Sequence, residues 1–344
     1  MTHHPAWRQA TSIAALVLAV AFPFVVNEFW VSHIAGQTLG FGTIVLSLVF
    51  LSAHVGMLSL AQMTVAGVAG YAFAYAMAPI ADFAPLGWPA AVLLALALAA
   101  AAGALVGLVA VRTEGVATLM ITLAIAMGFY YLTLQNYALF NGFDGFTSVR
   151  APLVLGISFD SPRPLYFLSL IVAGSCYYAV RWLSISPLGV ALQALRDNPK
   201  RLRALGYPIG VLRVVAFAIA GLIAGLGGLL NLWHNGSVSP GSVGITSTMD
   251  VLIAAVLGGL RHPIGAFVGA FALAVLQSFA IVVVGPDRFN TAIGLTFIAV
   301  IVFSPDGCVG LWRAFRRVPA RFFAYTAARA AVRLHPIVNN NNGD

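Results

Sequence analysis

Charge is what this sequence has least of. Of 344 residues only 8% are Asp, Glu, Lys or Arg, while 60% are hydrophobic; a soluble domain carries roughly 25% charged residues. A surface so poor in charge does not stay dispersed in water. The composition excludes a soluble enzyme, a disordered chain and a nucleic-acid-binding module, and leaves a polytopic membrane protein. Lysine is nearly missing: Lys200 is the only one among 18 basic residues. A Walker A loop needs a Gly-Lys dipeptide, and Lys200 follows Pro199, so the chain cannot form that phosphate cradle. There are two cysteines, Cys176 and Cys308, far apart and each in or beside an apolar run. That placement indicates neither a disulfide framework nor a zinc site, and reads as two inert buried thiols. No H-E-x-x-H, C-x-x-C or G-x-S-x-G motif occurs.

What is there is a succession of apolar runs. A bilayer core of about 30 Å takes roughly 20 helical residues. Ten runs meet or approach that length, near 10–26, 34–51, 57–80, 88–111, 115–139, 164–182, 209–233, 245–260, 264–284 and 289–303. The eighth and tenth are short, which fits tilted, broken or mis-bounded helices and leaves nine or eight as alternative counts. The first run lacks a small-x-small cleavage site and reads as a retained helix.

Basic residues test the count. With the N-terminus in the cytoplasm and ten crossings, 15 of the 18 fall on the inside and only Arg150, Arg163 and Arg288 on the outside. This asymmetry fits an even number of helices with both ends cytoplasmic. Ten divides as five plus five, and an odd-numbered half inverts the second half, the arithmetic of an inverted repeat. A transmembrane unit over 1–305 and a basic cytoplasmic tail over 306–344 follow. The tail reads equally as an interfacial amphipathic helix or as a disordered segment that fixes orientation.

The inside segment 184–208 is the most informative. Pro187 suits a first helical turn. Leu188, Leu192 and Leu195 recur on one helical face, Asn198-Pro199 stops that helix, and Gly206 ends a second. Arg196, Asp197, Lys200, Arg201 and Arg203 decorate the pair. A topological loop needs neither periodicity nor a defined stop, so the segment reads as a docking element for a cytoplasmic partner.

Polar groups at membrane depth are few. Ser59, Gln62 and Thr64 open the third run. Close packing explains the neighbouring Gly67 and Gly70, whereas a buried amide such as Gln62 must find partners; the three polar residues are candidates for a solute path. Asp250 lies about five residues into its run, either a bundle-facing functional group or a satisfied structural one. Glu114 is expected to pair with Arg112 at a helix end, and His54 to be solvated in a short turn. The segment Leu257-Gly-Gly-Leu-Arg-His-Pro263 fits a tight helical hairpin. No chain of buried carboxylates and histidines appears, which weakens a proton relay.

Leu58-Ser-Leu-Ala-Gln62 through Gly70-Tyr71, Asn141-Gly-Phe-Asp-Gly145, Ser186-Pro-Leu-Gly189 with Ala194-Leu-Arg-Asp-Asn198 and Ala204-Leu-Gly206, Val238-Ser-Pro240, and Val256-Leu-Gly-Gly-Leu260 with Gly265 together resemble LivM/LivH-type permeases of ATP-binding-cassette (ABC) importers. The matches run from about 40 to 305. Ala61, Met63, Thr64 and Arg261-His262 depart from the pattern. The resemblance implies an all-α permease fold in a bacterial inner membrane. It implies a second, LivH-like permease, two ATP-binding subunits and an extracytoplasmic binding protein as partners. The chain itself would bind no cofactor and catalyse nothing, with ATP and magnesium held by the partners. Branched-chain amino acids, urea, amides and aromatic amino acids are the solutes implied. Leu188, Leu192, Leu195, Arg196, Asp197, Asn198, Lys200 and Arg201 would couple to the ATPases, and Asn141 and Asp144 would join Ser59, Gln62, Thr64 and Asp250 on the path. An ion-driven secondary transporter and a simple-sugar ABC permease are the competing readings.

Overall fold

Apolar runs become helices in the computed structural model, which describes residues 20–77, 87–147, 149, 151–154, 157–159 and 161–284, with 291, 294, 295 and 298 besides. The expected tenth run and the basic tail fall almost wholly outside those residues, as does most of the first run. Helix α1 spans Trp30–Val55, with π-helical turns at both ends (Trp30–Gly36 and Leu51–Val55). Then come α2 (Gln62–Met77), α3 (Trp88–Ala110), α4 (Val116–Gln135) and the single turn α5 (Tyr137–Phe140). A two-residue β pair follows, β1 (Leu153–Val154) against β2 (Ile157–Ser158). After it come α6 (Pro162–Ile185), α7 (Pro187–Asp197), α8 (Pro199–Ala204), α9 (Ile209–Asn235), α10 (Ile245–Gly258) and α11 (Pro263–Val284).

The chain is an all-α polytopic bundle. Among the described residues, α1, α3, α4, α6 and α9 are long and apolar enough to cross a membrane. Helices α10 and α11 pass that test together but bend by 117° at their junction. The shortness of the eighth run therefore has a structural cause: it is one arm of a hairpin. Glycine permits the turn, because a Cβ on Gly258 would overlap the Gly265 carbonyl and one on Gly265 would meet the Gly258 carbonyl.

The core sits where α9 meets α1, α2 and α3. On α3 the buried positions Ala91, Ala95, Ala99, Gly103 and Gly107 recur every four residues, a stripe of small side chains along one face. Small residues let helix backbones approach, which gives packing where lipid provides no hydrophobic drive. The approach is close enough that a Cβ on Gly103 would lie 2.5 Å from the Phe217 carbonyl oxygen of α9.

The third run does not start as a helix. Residues 56–61 are irregular: Gly56 takes a left-handed φ of 73° to end α1, and the helix resumes at Gln62. Irregular backbone at membrane depth persists only where protein satisfies it. Here the Leu60 amide donates to Thr122 Oγ1 (3.0 Å) and the Ala61 amide to Ser59 Oγ (3.3 Å).

Candidate functional site

Two features stand out at opposite ends of α1. The first is the helix pair α7–α8, which forms where the leucine period places it. Ser186 caps α7 by accepting from the Gly189 amide (3.2 Å), and Asn198 caps α8 by accepting from the Arg201 amide (3.0 Å). Leu192 and Leu195 are buried and Leu188 is half-buried, packed against the core. Arg196, Asp197, Asn198 and Lys200 are not buried, and Arg201 is exposed.

The pair is fastened to α1 and α6. Arg196 donates to the Ala53 carbonyl and pairs with Asp197 at 2.9 Å. Its aliphatic stem lies on Gly56, where a Cβ would come 2.7 Å from Arg196 Cγ. Gln193 Nε2 donates to the Ser184 carbonyl at 2.9 Å. His54, expected in a solvated turn, is instead buried in the last turn of α1. A nitrogen facing a carbonyl must donate, so Nδ1 donates to Phe50 O (3.1 Å), while Nε2 lies 2.6 Å from Ser184 Oγ, whose own proton goes to the Val180 carbonyl (2.7 Å). The π-helical turn shifts the end of α1 and carries His54 inward. Glu114 also differs from expectation. Its partner is Arg213 of α9 (3.0 Å), which also donates to the Val111 carbonyl (2.8 Å) and ties the 111–114 turn to the bundle.

The second feature is a polar cavity of about 270 Å³ toward the other end. Helix α1 lines it with Gln37, Thr38 and Phe41, and α9 with Asn231 and Asn235, one turn apart. Asp250 comes from α10 and Gln277 from α11, while Met63, Ser242, Ser247 and Leu273 complete much of the wall. A side-chain ladder runs across it: Gln37 Nε2 donates to Asn235 Oδ1 (3.2 Å), and Asn235 Nδ2 to Asn231 Oδ1 (2.7 Å). Gln277 Nε2 donates to Asp250 Oδ2 (3.1 Å). Thr38 is only 6% exposed, and its hydroxyl has no partner among the described residues. Thr38 and His54 stand 16 residues apart on α1, about 24 Å along a helical axis.

Of the six expected path residues, the structure brings only Asp250 to this cavity. Ser59 is fully buried and does not line it. Gln62 Oε1 lies 2.9 Å from Ser47 Oγ, whose proton it shares with the Ile44 carbonyl (2.6 Å), and Thr64 is buried without lining the cavity. Asn141, in a left-handed turn, donates to the Gly145 carbonyl (2.7 Å), and Asp144 is exposed beside it. The pairing of Phe146 with Val238 joins that loop to the segment after α9. Sequence reasoning passed over Gln37, Thr38, Asn231, Asn235 and Gln277. A signal existed in the two asparagines four residues apart at the end of an apolar run. The described residues hold no cluster of three His, Cys, Asp or Glu able to bind a metal.

Comparison with known proteins agrees with this architecture. Residues 30–303 match the family described as branched-chain amino acid transport system / permease component. The high-affinity branched-chain amino acid transport system permease protein LivM of Escherichia coli K12 is 28% identical over 331 residues, covering 88% of this chain and 75% of that protein. LivM of Salmonella typhimurium LT2 is 30% identical over the same shares. The autoinducer 2 import system permease protein LsrC of Enterobacter sp. 638 is 30% identical over 62% of each chain. No solved structure matches. A bundle of apolar helices and a family match over most of its length lead to one conclusion: the chain belongs to the family of branched-chain amino acid transport system permease components, multi-pass membrane subunits of ABC transporters.

Proposed function

We propose that this chain is one of two permeases in an importer for branched-chain amino acids or related small polar solutes, driven by separate ATP-binding subunits and fed by an extracytoplasmic binding protein. The observation that carries this reading is α1, whose N-terminal half lines a polar cavity while its last turn is gripped by the capped pair α7–α8. The basic pair α7–α8 faces the cytoplasm by the positive-inside rule, so the cavity lies toward the outer side. ATP and magnesium sit on the partner subunits. Closure of those subunits pushes α7–α8, and the push reaches the cavity through α1 and α6. Coupling requires that nucleotide and solute each favour different states of the bundle. The permease performs no covalent step.

The relation to LsrC, whose name gives autoinducer 2 as its cargo, and the amide-rich cavity wall support a sugar-like solute as the second reading. The first test is affinity purification of the chain from its native membrane in mild detergent, followed by mass spectrometry. A second permease and subunits with Walker A loops are expected. A chain that purifies alone and moves solute in vesicles under an ion gradient without ATP overturns the reading in favour of a secondary transporter.

A further inference from the structure

We propose that the cavity between α1, α9, α10 and α11 is a solute site that recognises a primary ammonium group through Asp250, and that it reads the amine of an amino acid rather than the carboxylate. This rests on the functional reading above and assigns which half of the solute this chain recognises.

Charge is the first argument. Among the described residues, Asp250 is the one ionisable residue on the cavity wall, and no Arg, Lys or His lines it. A carboxylate at membrane depth costs about 2.5–3.5 kcal/mol on insertion scales and ordinarily has a partner. The described partner of Asp250 is neutral: Gln277 Nε2 bonds Oδ2 at 3.1 Å and holds the carboxylate toward the cavity. Oδ1 remains to accept, and a solute ammonium supplies both the donor and the missing positive charge.

Thr38 is the second, independent argument. A helical threonine ordinarily bonds the carbonyl one turn back. Thr38 is buried, lines the cavity and leaves its hydroxyl without a partner among the described residues. An unpaired buried hydroxyl costs about 1–3 kcal/mol; the oxygen is shut off from the cavity in this rotamer, and a χ1 rotation that turns it toward a polar solute removes that cost. Asn231 and Asn235 add neutral amides, able to hold carboxylate oxygens but without the positive charge that would select an acid. Phe41 and Leu273 give an aliphatic side chain its apolar wall.

The test uses the complete importer in lipid nanodiscs without its binding protein, with radiolabelled L-leucine as probe. Two competitors divide the molecule: isoamylamine keeps the amine and lacks the carboxylate, and 4-methylpentanoate keeps the carboxylate and lacks the amine. Isoamylamine is expected to displace leucine and 4-methylpentanoate is not. Asp250→Asn is expected to weaken leucine binding about tenfold or more, the loss of a charge-assisted bond, in a complex of unchanged subunit composition on gel filtration. Asp250→Glu restores part of it, and the near-isosteric Thr38→Val weakens binding severalfold. Competition by the acid as strong as by the amine overturns the proposal. So does unchanged binding in Asp250→Asn, or no saturable leucine binding in a complex that imports leucine with ATP. A complete complex that imports no amino acid with ATP and its binding protein overturns the functional reading itself, and this proposal with it.

Discussion

Arg213 illustrates how a single side chain fixes a helix end. Its side chain is 10% exposed and bonds the Val111 carbonyl, whereas its ionic partner Glu114 is 75% exposed. The exposed pair contributes at most about 1 kcal/mol, while a hydrogen bond to a charged group is worth roughly 1.5–3 kcal/mol. Arg213→Met should therefore lower stability in detergent by about 2 kcal/mol, and Glu114→Gln by less than about 1 kcal/mol. Thermal unfolding of the purified variants checks both; equal effects would assign the stability to the ion pair instead. Spacing in sequence pointed to Arg112 as the partner of Glu114, and the structure gives it Arg213, 99 residues away. Nothing in the local sequence encodes that choice, because it depends on where α9 packs.

Among the elements, α7–α8 was the most legible. Its caps, leucine period and stop all lie within 21 residues and act locally, so the sequence alone specifies two helices, and they form at Pro187–Asp197 and Pro199–Ala204. Losing an N-cap costs about 1 kcal/mol. Asn198→Ala should thus speed exchange of the 200–204 amides, through local opening of α8, about fivefold, leaving α9 unaffected. Hydrogen exchange with mass spectrometry reads this directly. The third run was less legible. Hydropathy over 57–80 cannot distinguish helix from the irregular 56–61 segment, since buried backbone satisfied by Thr122 and Ser59 is as apolar in sequence as a helix.

For the molecule as a whole, the prediction concerns transmission between the two ends of α1. Arg196 and Asp197 bond each other, and Arg196 grips Ala53. Changing both to alanine should leave the chain inserted and assembled but reduce solute uptake per ATP hydrolysed. The readout is uptake and hydrolysis measured on the same proteoliposomes. Normal uptake at normal subunit stoichiometry would remove α7 from the coupling role proposed for it.

Composition and periodicity by themselves determined the class, the approximate course of most described helices and the capped pair, because hydropathy and caps are properties of contiguous residues. Of the cavity, the sequence offered Asp250 alone. Gln37, Thr38, Asn231, Asn235 and Gln277 are scattered singly or in pairs over three apolar runs, each too sparse to mark a site. Only the hairpin at Gly258 and the packing of α9 on α1 bring them together, and a contact such as Gln37 to Asn235, 198 positions apart, has no period to betray it.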